Sequence, residues 1–335
     1  MFQNHIHNLR GLAILGIVGA HSIHAFDWSA RPTWYRVFDT ICNQSSILFF
    51  FIAGYLFQHL SAKFGYGRYL QRKLTTVIVP YLILSLPALI VSTGWSGPPM
   101  IPQDSVWAGF YDMPAWQQVL AFYATGKHLA PFWFVPTIAL FYVAAPLLLA
   151  LDRNRLVYWL LPAFMAYSAW AGRDFLFGPF GKGAYLFSIY LLGMFFSRYK
   201  AETLLWADRL RWPLIVAAGT LFWLNVREAH PHHGILYGLK LCLCPISVHY
   251  LKKWDPFLKK RFDHLAHVSF GLFFVHGYFI SGGRLLYEHF TEQPLPEGTV
   301  PRYLAFAALI LALSLGTLAA ARRVLGARSR LLVGC

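Results

Sequence analysis

One arginine and one histidine lie inside the first hydrophobic segment of the chain, where ionisable side chains are costly. Arg10 and His21 are eleven positions apart, a spacing that turns an α-helix through roughly 1100° and brings both side chains to one face. They then stand about 16 Å apart along the axis. An arginine near the centre of a bilayer costs on the order of 2.5–3.5 kcal/mol and usually has a function. The pair places a proton-exchanging imidazole deep in the bilayer and a fixed cation nearer one surface.

The helices that must position these residues are those of a membrane protein. The chain has 335 residues, of which 57% are hydrophobic and 13% charged, whereas soluble domains are about 25% charged. Apolar runs of roughly 17–25 residues predict transmembrane helices. Ten such runs lie near 8–26, 43–61, 75–93, 131–150, 155–171, 183–197, 212–226, 234–251, 265–283 and 302–321. We therefore expect an all-α polytopic fold with a single transmembrane domain over residues 1–335.

The basic residues indicate the orientation of the chain. Lys and Arg number 29 against 14 acidic residues, a formal net charge of +15, which in a soluble protein would suggest a nucleic-acid partner. Here most of them fall in loops on one side of the predicted helices, the side that the positive-inside rule assigns to the cytoplasm. We therefore expect both termini in the cytoplasm and no nucleic-acid partner. This topology also predicts a basic cytoplasmic tail at 322–335, and an outer loop at 94–130 with an interfacial or re-entrant helix near 104–124.

Four stretches along the chain, in order, carry a known pattern of motifs. They are Asn8-Leu9-Arg10-Gly11-Leu12-Ala13 with His21, Phe49-Phe50-Phe51-Ile52-Ala53-Gly54-Tyr55-Leu56, Phe132-Trp133-Phe134-Val135-Pro136, and Ser269-Phe270-Gly271-Leu272-Phe273-Phe274-Val275-His276. In addition, a basic pair precedes the third predicted helix, as Arg72-Lys73 ahead of Val79-Pro80-Tyr81. Together these stretches resemble the membrane acyltransferase 3 family, of the polysaccharide O-acetyltransferase type. The resemblance covers nearly the whole chain.

The resemblance implies transfer of an acyl group, most often acetyl, from a cytoplasmic acyl-CoA to a hydroxyl group. The expected donor substrate is acetyl-CoA, and the expected acceptor is an extracytoplasmic polysaccharide or its lipid-linked sugar precursor. The expected location is the bacterial inner membrane, with many passes through the lipid bilayer. No feature of the sequence indicates an oligomeric state.

The same resemblance, read with the chemistry of each side chain, implies the site residues. His21 would act as the general base that takes the proton of the acceptor hydroxyl, an effect typically worth about 10²–10⁴-fold in rate. Arg10 would organise the donor or stabilise negative charge that develops at the thioester. Five further residues are expected to bind acyl-CoA or the acceptor, namely Arg72, Lys73, Trp133, His276 and His24.

Each of these residues also has an ordinary structural role open to it. An intramembrane histidine can simply form a hydrogen bond between helices, which applies to His21 and His276. Arg10 can extend towards the membrane surface as an anchor, and Trp133 can belong to the interfacial aromatic belt. The basic pair before the third helix satisfies the positive-inside rule without any ligand.

Two positions depart from the family pattern. Ala53 stands where the second-helix motif usually has serine, so any role of that hydroxyl is absent or moved, with Ser45 and Ser46 as the alternatives. Before Pro80, the residues Thr75-Thr76-Val77 replace a region that often carries another arginine.

Other chemistries have weaker support. His230-Pro231-His232-His233 lies in a predicted outer loop without a carboxylate or cysteine pattern, so we expect no metal. No serine or cysteine has a recognisable nucleophile setting, which favours direct transfer while leaving an acyl-histidine intermediate open. Two rival functions are a transporter of glycans or lipid-linked sugars and an O-acyltransferase for a small hydroxylated metabolite. A transporter would be expected to contain inverted repeats and paired broken helices, and neither is evident in the sequence.

Overall fold

The computed structural model describes residues 3–94, 109–173 and 178–334. Within these ranges the chain is built from α-helices joined by short turns and contains no strand, which confirms the all-α class. In chain order the α-helices are α1 Asn4–Ile23, α2 Pro32–Cys42, α3 Ser46–His59, α4 Tyr66–Lys73, α5 Val79–Gly94, α6 Ala115–Thr125, α7 Phe134–Val143, α8 Ala145–Arg153, α9 Leu161–Ala171, α10 Gly178–Arg198, α11 Lys200–Arg209, α12 Arg211–Arg227, α13 His233–Lys253, α14 Asp255–Thr291, α15 Val300–Leu325 and α16 Ser329–Leu332.

Within the described ranges, fewer than ten helices have the length and apolarity that a membrane span requires. In the described ranges, five stretches are long and apolar enough, namely Pro32–His59, Tyr66–Thr93, His233–Lys253, Phe262–Thr291 and Val300–Leu332. A bent pair, Ala130–Val143 with Ala145–Arg153 at 56°, makes a sixth if it is one span. All ten predicted segments are helical, but some are too short or too polar, because α9 has only 11 residues and α1 carries Arg10 and several histidines. The protein has membrane-spanning helices, while the ten-span count and the orientation stay predictions.

The two helices that carry the first and last motifs, α1 and α14, lie side by side and run in the same direction. At their beginnings, the side-chain amides of Asn4 and Asn8 donate hydrogen bonds to the carboxylate of Asp255 at 3.2 and 3.3 Å. Beyond their ends, the backbone of Asp27 exchanges hydrogen bonds with Pro296 and Gly298 at 2.9 and 2.5 Å. Because the pair is tied at both ends, residues at matching heights on the two helices are held opposite each other.

The helix α3 contacts α1 and packs closely against α10. A Cβ atom on Gly54 would overlap the backbone carbonyl of Tyr190, and one on Gly193 would overlap that of Phe51. Small residues at a helix–helix contact let two backbones approach in a membrane, where no hydrophobic effect draws helices together. Glycine is therefore required at both positions.

A polar break separates α2 from α3 inside a stretch that is otherwise apolar. Asn43 is extended, and Gln44 has a φ of +56°, in the left-handed region that non-glycine residues rarely adopt. The buried Lys240 of α13 donates hydrogen bonds from Nζ to the carbonyls of Thr40 and Ile41, at 3.1 and 2.8 Å. A cation at a helix C-terminus satisfies carbonyl groups that the helix leaves unpaired.

The predicted helix near 104–124 is described only in part, because residues 95–108 lie outside the described ranges. Its later half is the helix α6, which packs against α5 through a hydrogen bond from the Tyr81 hydroxyl to the Tyr123 carbonyl at 2.9 Å. Its placement as an interfacial or re-entrant helix stays a prediction.

Candidate active site

Two cavities open on the face of α1 that carries Arg10 and His21. The first, called here the arginine cavity, has a volume of about 600 Å³ and contains Arg10 in its wall. The second, the histidine cavity, has a volume of about 430 Å³ and contains His21. Phe134, the first residue of α7, lines both. Both volumes lie in the range of small-molecule binding sites.

Arg10 is held by the serine of the last motif. Its Nη2 donates a hydrogen bond to Oγ of Ser269 on α14 at 2.8 Å. The hydroxyl of Ser269 in turn donates to the carbonyl of Ala266 at 2.8 Å. The orientation of the guanidinium is therefore set by α14, and its remaining N–H groups are available to the cavity.

His21 lies opposite the histidine of the same last motif. The ring centroids of His21 and His276 are 5.3 Å apart with their planes inclined at 43°. Within the part of the chain that the structure describes, the His21 ring has no hydrogen bond to protein. A ring in a cavity wall without such a partner is available to a bound hydroxyl group.

The hydrogen bonding of His276 indicates which of its nitrogens carries a proton. Nδ1 lies 2.8 Å from the carbonyl oxygen of Leu272. A carbonyl can only accept, so in the neutral ring the proton is on Nδ1 and Nε2 carries a lone pair. Nε2 is buried and has no hydrogen-bond partner among the residues that the structure describes. A buried acceptor without a partner is costly, and such a group is typical of a functional site.

The polar residues at the break between α2 and α3 form part of the wall of the histidine cavity. Asp39, Asn43 and Gln44 all line the cavity. The hydroxyl of Tyr185 on α10 donates to Oε1 of Gln44 at 2.6 Å, which fixes the amide. A carboxylate and two amides facing an imidazole make a surface that can hydrogen-bond several hydroxyl groups at once.

Trp133 also lines the histidine cavity, at the end of a 3₁₀ turn, Ala130–Trp133, that leads into α7. Cζ of Arg173 lies 5.7 Å from the centroid of its ring, and Nζ of Lys182 lies 5.5 Å away. The indole is thus held in a polar, charged setting instead of facing lipid. His24, by contrast, is exposed at the C-terminal end of α1, with its ring 6.2 Å from that of Tyr35, and it lines the same cavity at its edge.

The two residues of the basic pair before the third helix do not both line the arginine cavity. Lys73 lines the arginine cavity, with Nζ 4.8 Å from the ring centroid of Tyr142. Arg72 does not line that cavity and faces a smaller one of about 240 Å³, which Lys73 shares. The segment after the pair forms a π-helical turn, Leu74–Ile78, and such turns are frequent at functional sites.

The residues at the two departures from the family pattern can be located relative to the two cavities. Ala53 lines the arginine cavity, whereas Ser45 and Ser46 line the histidine cavity, so neither hydroxyl substitutes for a serine at position 53. The hydroxyl of Ser45 instead donates to the carbonyl of Cys42 at 2.6 Å. Thr76, in the π-helical turn, lines the arginine cavity where another arginine is usual.

The arginine cavity is strongly basic. Its described lining contains six basic side chains and no carboxylate, the six being His7, Arg10, Lys73, His267, Arg322 and Arg330. The sequence did not single out the histidines or the last two arginines. It also missed Asp39, Asn43 and Gln44, although a polar run from 39 to 46 within an apolar stretch was a visible signal.

One cluster in the described ranges has the spacing of metal ligands. The ligand atoms of His7, Asp263 and His267 all lie within 4.8 Å of one another. Nδ1 of His267 already lies 2.8 Å from the backbone carbonyl of Asp263, to which it must donate, so it lacks the lone pair that a metal requires. In the outer-loop run, His232 and His233 are likewise bonded to backbone groups, at 3.1 and 2.5 Å.

Comparison with known proteins identifies the family. A search of curated proteins finds no match, and neither does a search of solved structures. A family model described as an acyltransferase domain, Acyl_transf_3, matches residues 4–319. That match includes Arg10, His21, Ser269 and His276, the residues that α1 and α14 bring together. The chain therefore belongs to the acyltransferase 3 family and is a membrane acyltransferase.

Proposed function

We propose that the protein is an acyl-CoA-dependent O-acetyltransferase of the bacterial inner membrane. It would move an acetyl group from cytoplasmic acetyl-CoA to a hydroxyl of an extracytoplasmic polysaccharide or its lipid-linked precursor. One observation carries the proposal: a cavity lined by cations and a cavity lined by hydroxyl-binding groups lie on one face of α1 and meet at Phe134.

The arginine cavity suits the donor. Coenzyme A carries phosphate groups at one end and its thioester at the end of a long flexible arm. The four Lys and Arg side chains of its lining favour a multiply charged anion, and arginine binds phosphate through paired hydrogen bonds. With the phosphates held near Arg10 and Lys73, the arm would extend past Phe134 towards His21. By the predicted orientation this cavity faces the cytoplasm, where acyl-CoA is made.

The histidine cavity suits the acceptor. Sugars present several hydroxyl groups and an apolar ring face. Asp39, Asn43 and Gln44 would bind the hydroxyls, and Trp133 would stack on the ring. By the predicted orientation this cavity lies towards the outer membrane surface, where a polymer or lipid-linked acceptor would approach.

His21 would carry out the proton transfer. The acceptor oxygen forms a bond to the acyl carbon as the carbon–sulfur bond breaks, and His21 takes the hydroxyl proton. The sulfur leaves with both electrons of the broken bond, and the proton passes from His21 to give the thiol of coenzyme A. His276 lies beside the His21 ring but lines neither cavity, so it would act on the reaction through His21. Because Arg10 lies about 16 Å from His21 along the helix, we assign it to binding the donor.

The test is a donor assay on full-length protein in nanodiscs with radiolabelled acetyl-CoA, with and without a lipid-linked oligosaccharide acceptor. His21→Asn should lower the rates of transfer and hydrolysis by about 10²–10⁴-fold, and Arg10→Gln should raise the KM for acetyl-CoA. His289→Asn, at an exposed position on α14, should match native protein. Full activity in folded His21→Asn would refute the catalytic role. Native protein inert towards acetyl-CoA and longer acyl-CoAs would favour the transporter, and transfer only to small alcohols would favour a metabolite acceptor.

A further inference from the structure

The chain does not leave the membrane bundle when α15 ends. Gly326 has a φ of +54°, a left-handed backbone that suits glycine and stops the helix. The chain then reverses, and the short helix α16 packs against α5 and against the π-helical turn that precedes it. The 322–334 segment therefore folds back over α5 and the π-helical turn instead of extending away from the bundle.

The far end of this segment is anchored on the other side of the arginine cavity. Ser329 is buried, and Val333 packs against the main hydrophobic core. A Cβ on Gly334 would lie 3.2 Å from Cδ2 of Phe274 and 3.7 Å from the backbone nitrogen of Gly271, both on α14. The 322–334 segment thus bridges the π-helical turn Leu74–Ile78 and α14, both of which line the cavity.

Two arginines of the segment belong to the cavity wall. Arg322, Arg330 and Gly334 line it together with Arg10 and Lys73. Four positive charges around one space repel one another, and an anion bound between them would offset this repulsion. The two segment arginines also lie beyond residue 319, where the match to the acyltransferase domain ends.

We propose that the 322–334 segment completes the donor site of this enzyme. Arg322 and Arg330 bind the phosphate groups of the acyl-CoA, opposite Arg10 and Lys73, and the folded segment closes the cavity over them. The inference rests on the proposed function, since it names further residues for the same donor. The two arginines are binding residues that act on donor affinity and leave the acyl-transfer step unchanged.

Matched arginines in the same segment provide a strict control. Arg323 and Arg328 are exposed, as Arg322 and Arg330 are, but they do not line the cavity. The double variants R322Q/R330Q and R323Q/R328Q therefore remove the same net charge from the same stretch of chain. A difference between them reports the contacts inside the cavity and not the general attraction of a basic surface for an anion.

The experiment measures the Kd of coenzyme A for native protein and both double variants in nanodiscs, by isothermal titration calorimetry. Losing even one charge-assisted hydrogen bond corresponds to about tenfold in affinity or more. We therefore expect at least about a tenfold weaker Kd for R322Q/R330Q and a value near native for R323Q/R328Q. The KM for acetyl-CoA should rise in R322Q/R330Q and stay near the native value in R323Q/R328Q.

A second measurement on the native chain does not depend on a variant folding. Limited trypsin digestion cuts after Arg328 and Arg330, and bound coenzyme A should slow cleavage after Arg330 if the segment closes over it. Equal Kd losses in the two double variants, or no protection by coenzyme A, would overturn the inference while leaving acetyl transfer by native protein intact. Native protein that neither binds coenzyme A nor turns over acetyl-CoA would overturn both the inference and the proposed function.

Discussion

His21 and His276 lie opposite each other across the contact between α1 and α14, with ring centroids 5.3 Å apart. The two residues are separated by more than 250 positions in the chain, yet the ties at both ends of the helix pair hold them at one height. His276 keeps its proton on Nδ1 through the Leu272 carbonyl and leaves Nε2 as a buried acceptor. We therefore expect the two rings to act together in proton transfer.

The first prediction is that His276→Asn lowers kcat by about 10²-fold, the lower part of the range for acid–base residues. In the double variant with His21→Asn, the second change should cost little more, because residues that act as a unit are not additive. The measurement is acetyl transfer at saturating substrates. His128→Asn removes a buried histidine that lines neither cavity and serves as the control. Additive losses would show that the two rings act separately.

The second prediction concerns the serine that holds Arg10. Ser269→Ala removes the 2.8 Å hydrogen bond to the guanidinium, and a hydrogen bond to a charged group is worth about 1.5–3 kcal/mol. We expect the KM for acetyl-CoA to rise about tenfold with little change in kcat. Ser314→Ala removes a buried hydroxyl that has no hydrogen-bond partner in the described part of the chain, and it should behave as native. Equal KM values for the two variants would contradict the role of Ser269.

The third prediction concerns Phe134, which stands between the two cavities and packs against Phe50 and Phe273 at centroid distances of 5.1 and 5.3 Å. Phe134→Leu opens a gap through which water can reach the thioester, so hydrolysis of acetyl-CoA without acceptor should rise severalfold. Phe134→Trp should block transfer while coenzyme A still binds. Phe196→Leu, in the core but outside both cavities, controls for loss of packing. Unchanged hydrolysis in Phe134→Leu would show that the thioester does not pass this residue.

The fourth prediction concerns Lys240, which bonds the carbonyls of Thr40 and Ile41 at the end of α2. Lys240→Met leaves these carbonyls unpaired in the membrane interior, a cost of about 1–3 kcal/mol in unfolding free energy. Because α2 carries Asp39 into the histidine cavity, the KM for the acceptor should also rise while that for acetyl-CoA stays constant. Cys244→Ala, one turn further along α13, is the packing control. A loss of stability with both KM values unchanged would restrict Lys240 to a structural role.

The fifth prediction is a pH dependence at the loop that ties the ends of α1 and α14. Arg31 donates a hydrogen bond to Glu297 and lies beside it as a positive charge, which lowers the pKa of that carboxyl below its ordinary value of 4.5. A lowered carboxyl pKa stabilises the folded state above the unfolded value and loses that effect as the pH falls through the folded value.

The Tm of native protein should therefore exceed that of Glu297→Gln by a small margin at pH 7, because both partners are exposed. The margin should vanish as the pH falls below 4.5 and through the lowered pKa. Thermal unfolding of both proteins from pH 7 to pH 3.5 measures it. A margin that persists at the lowest pH would mean that Glu297 does not act through its charge.

Local periodicity alone determined the helical segments of this protein and the helix face that Arg10 and His21 share. The eleven-residue spacing of Arg10 and His21 puts them on one helix face whatever surrounds the helix. The apolar runs predicted helices, and every one of them is helical. The ordered motifs predicted the acyltransferase 3 family, which the match over residues 4–319 confirms. These properties depend on residues close together in the chain, or on motifs that are themselves local.

Only the tertiary structure decided which side chains share a cavity. It joined Arg10 to Ser269 and His21 to His276, because α1 and α14 are tied at both ends. It also separated Lys73 from the adjacent Arg72, since neighbouring residues on a helix point about 100° apart and face different surroundings.

The polar wall at the α2–α3 break and the return of the 322–334 segment were likewise decided by packing. The break is held by Lys240 from a helix 200 positions away, and the segment is held by α5 and α14. Hydrophobic patterning reports how much of a segment is apolar, but it does not report which distant partner will satisfy its polar groups. That information exists only when the helices have packed.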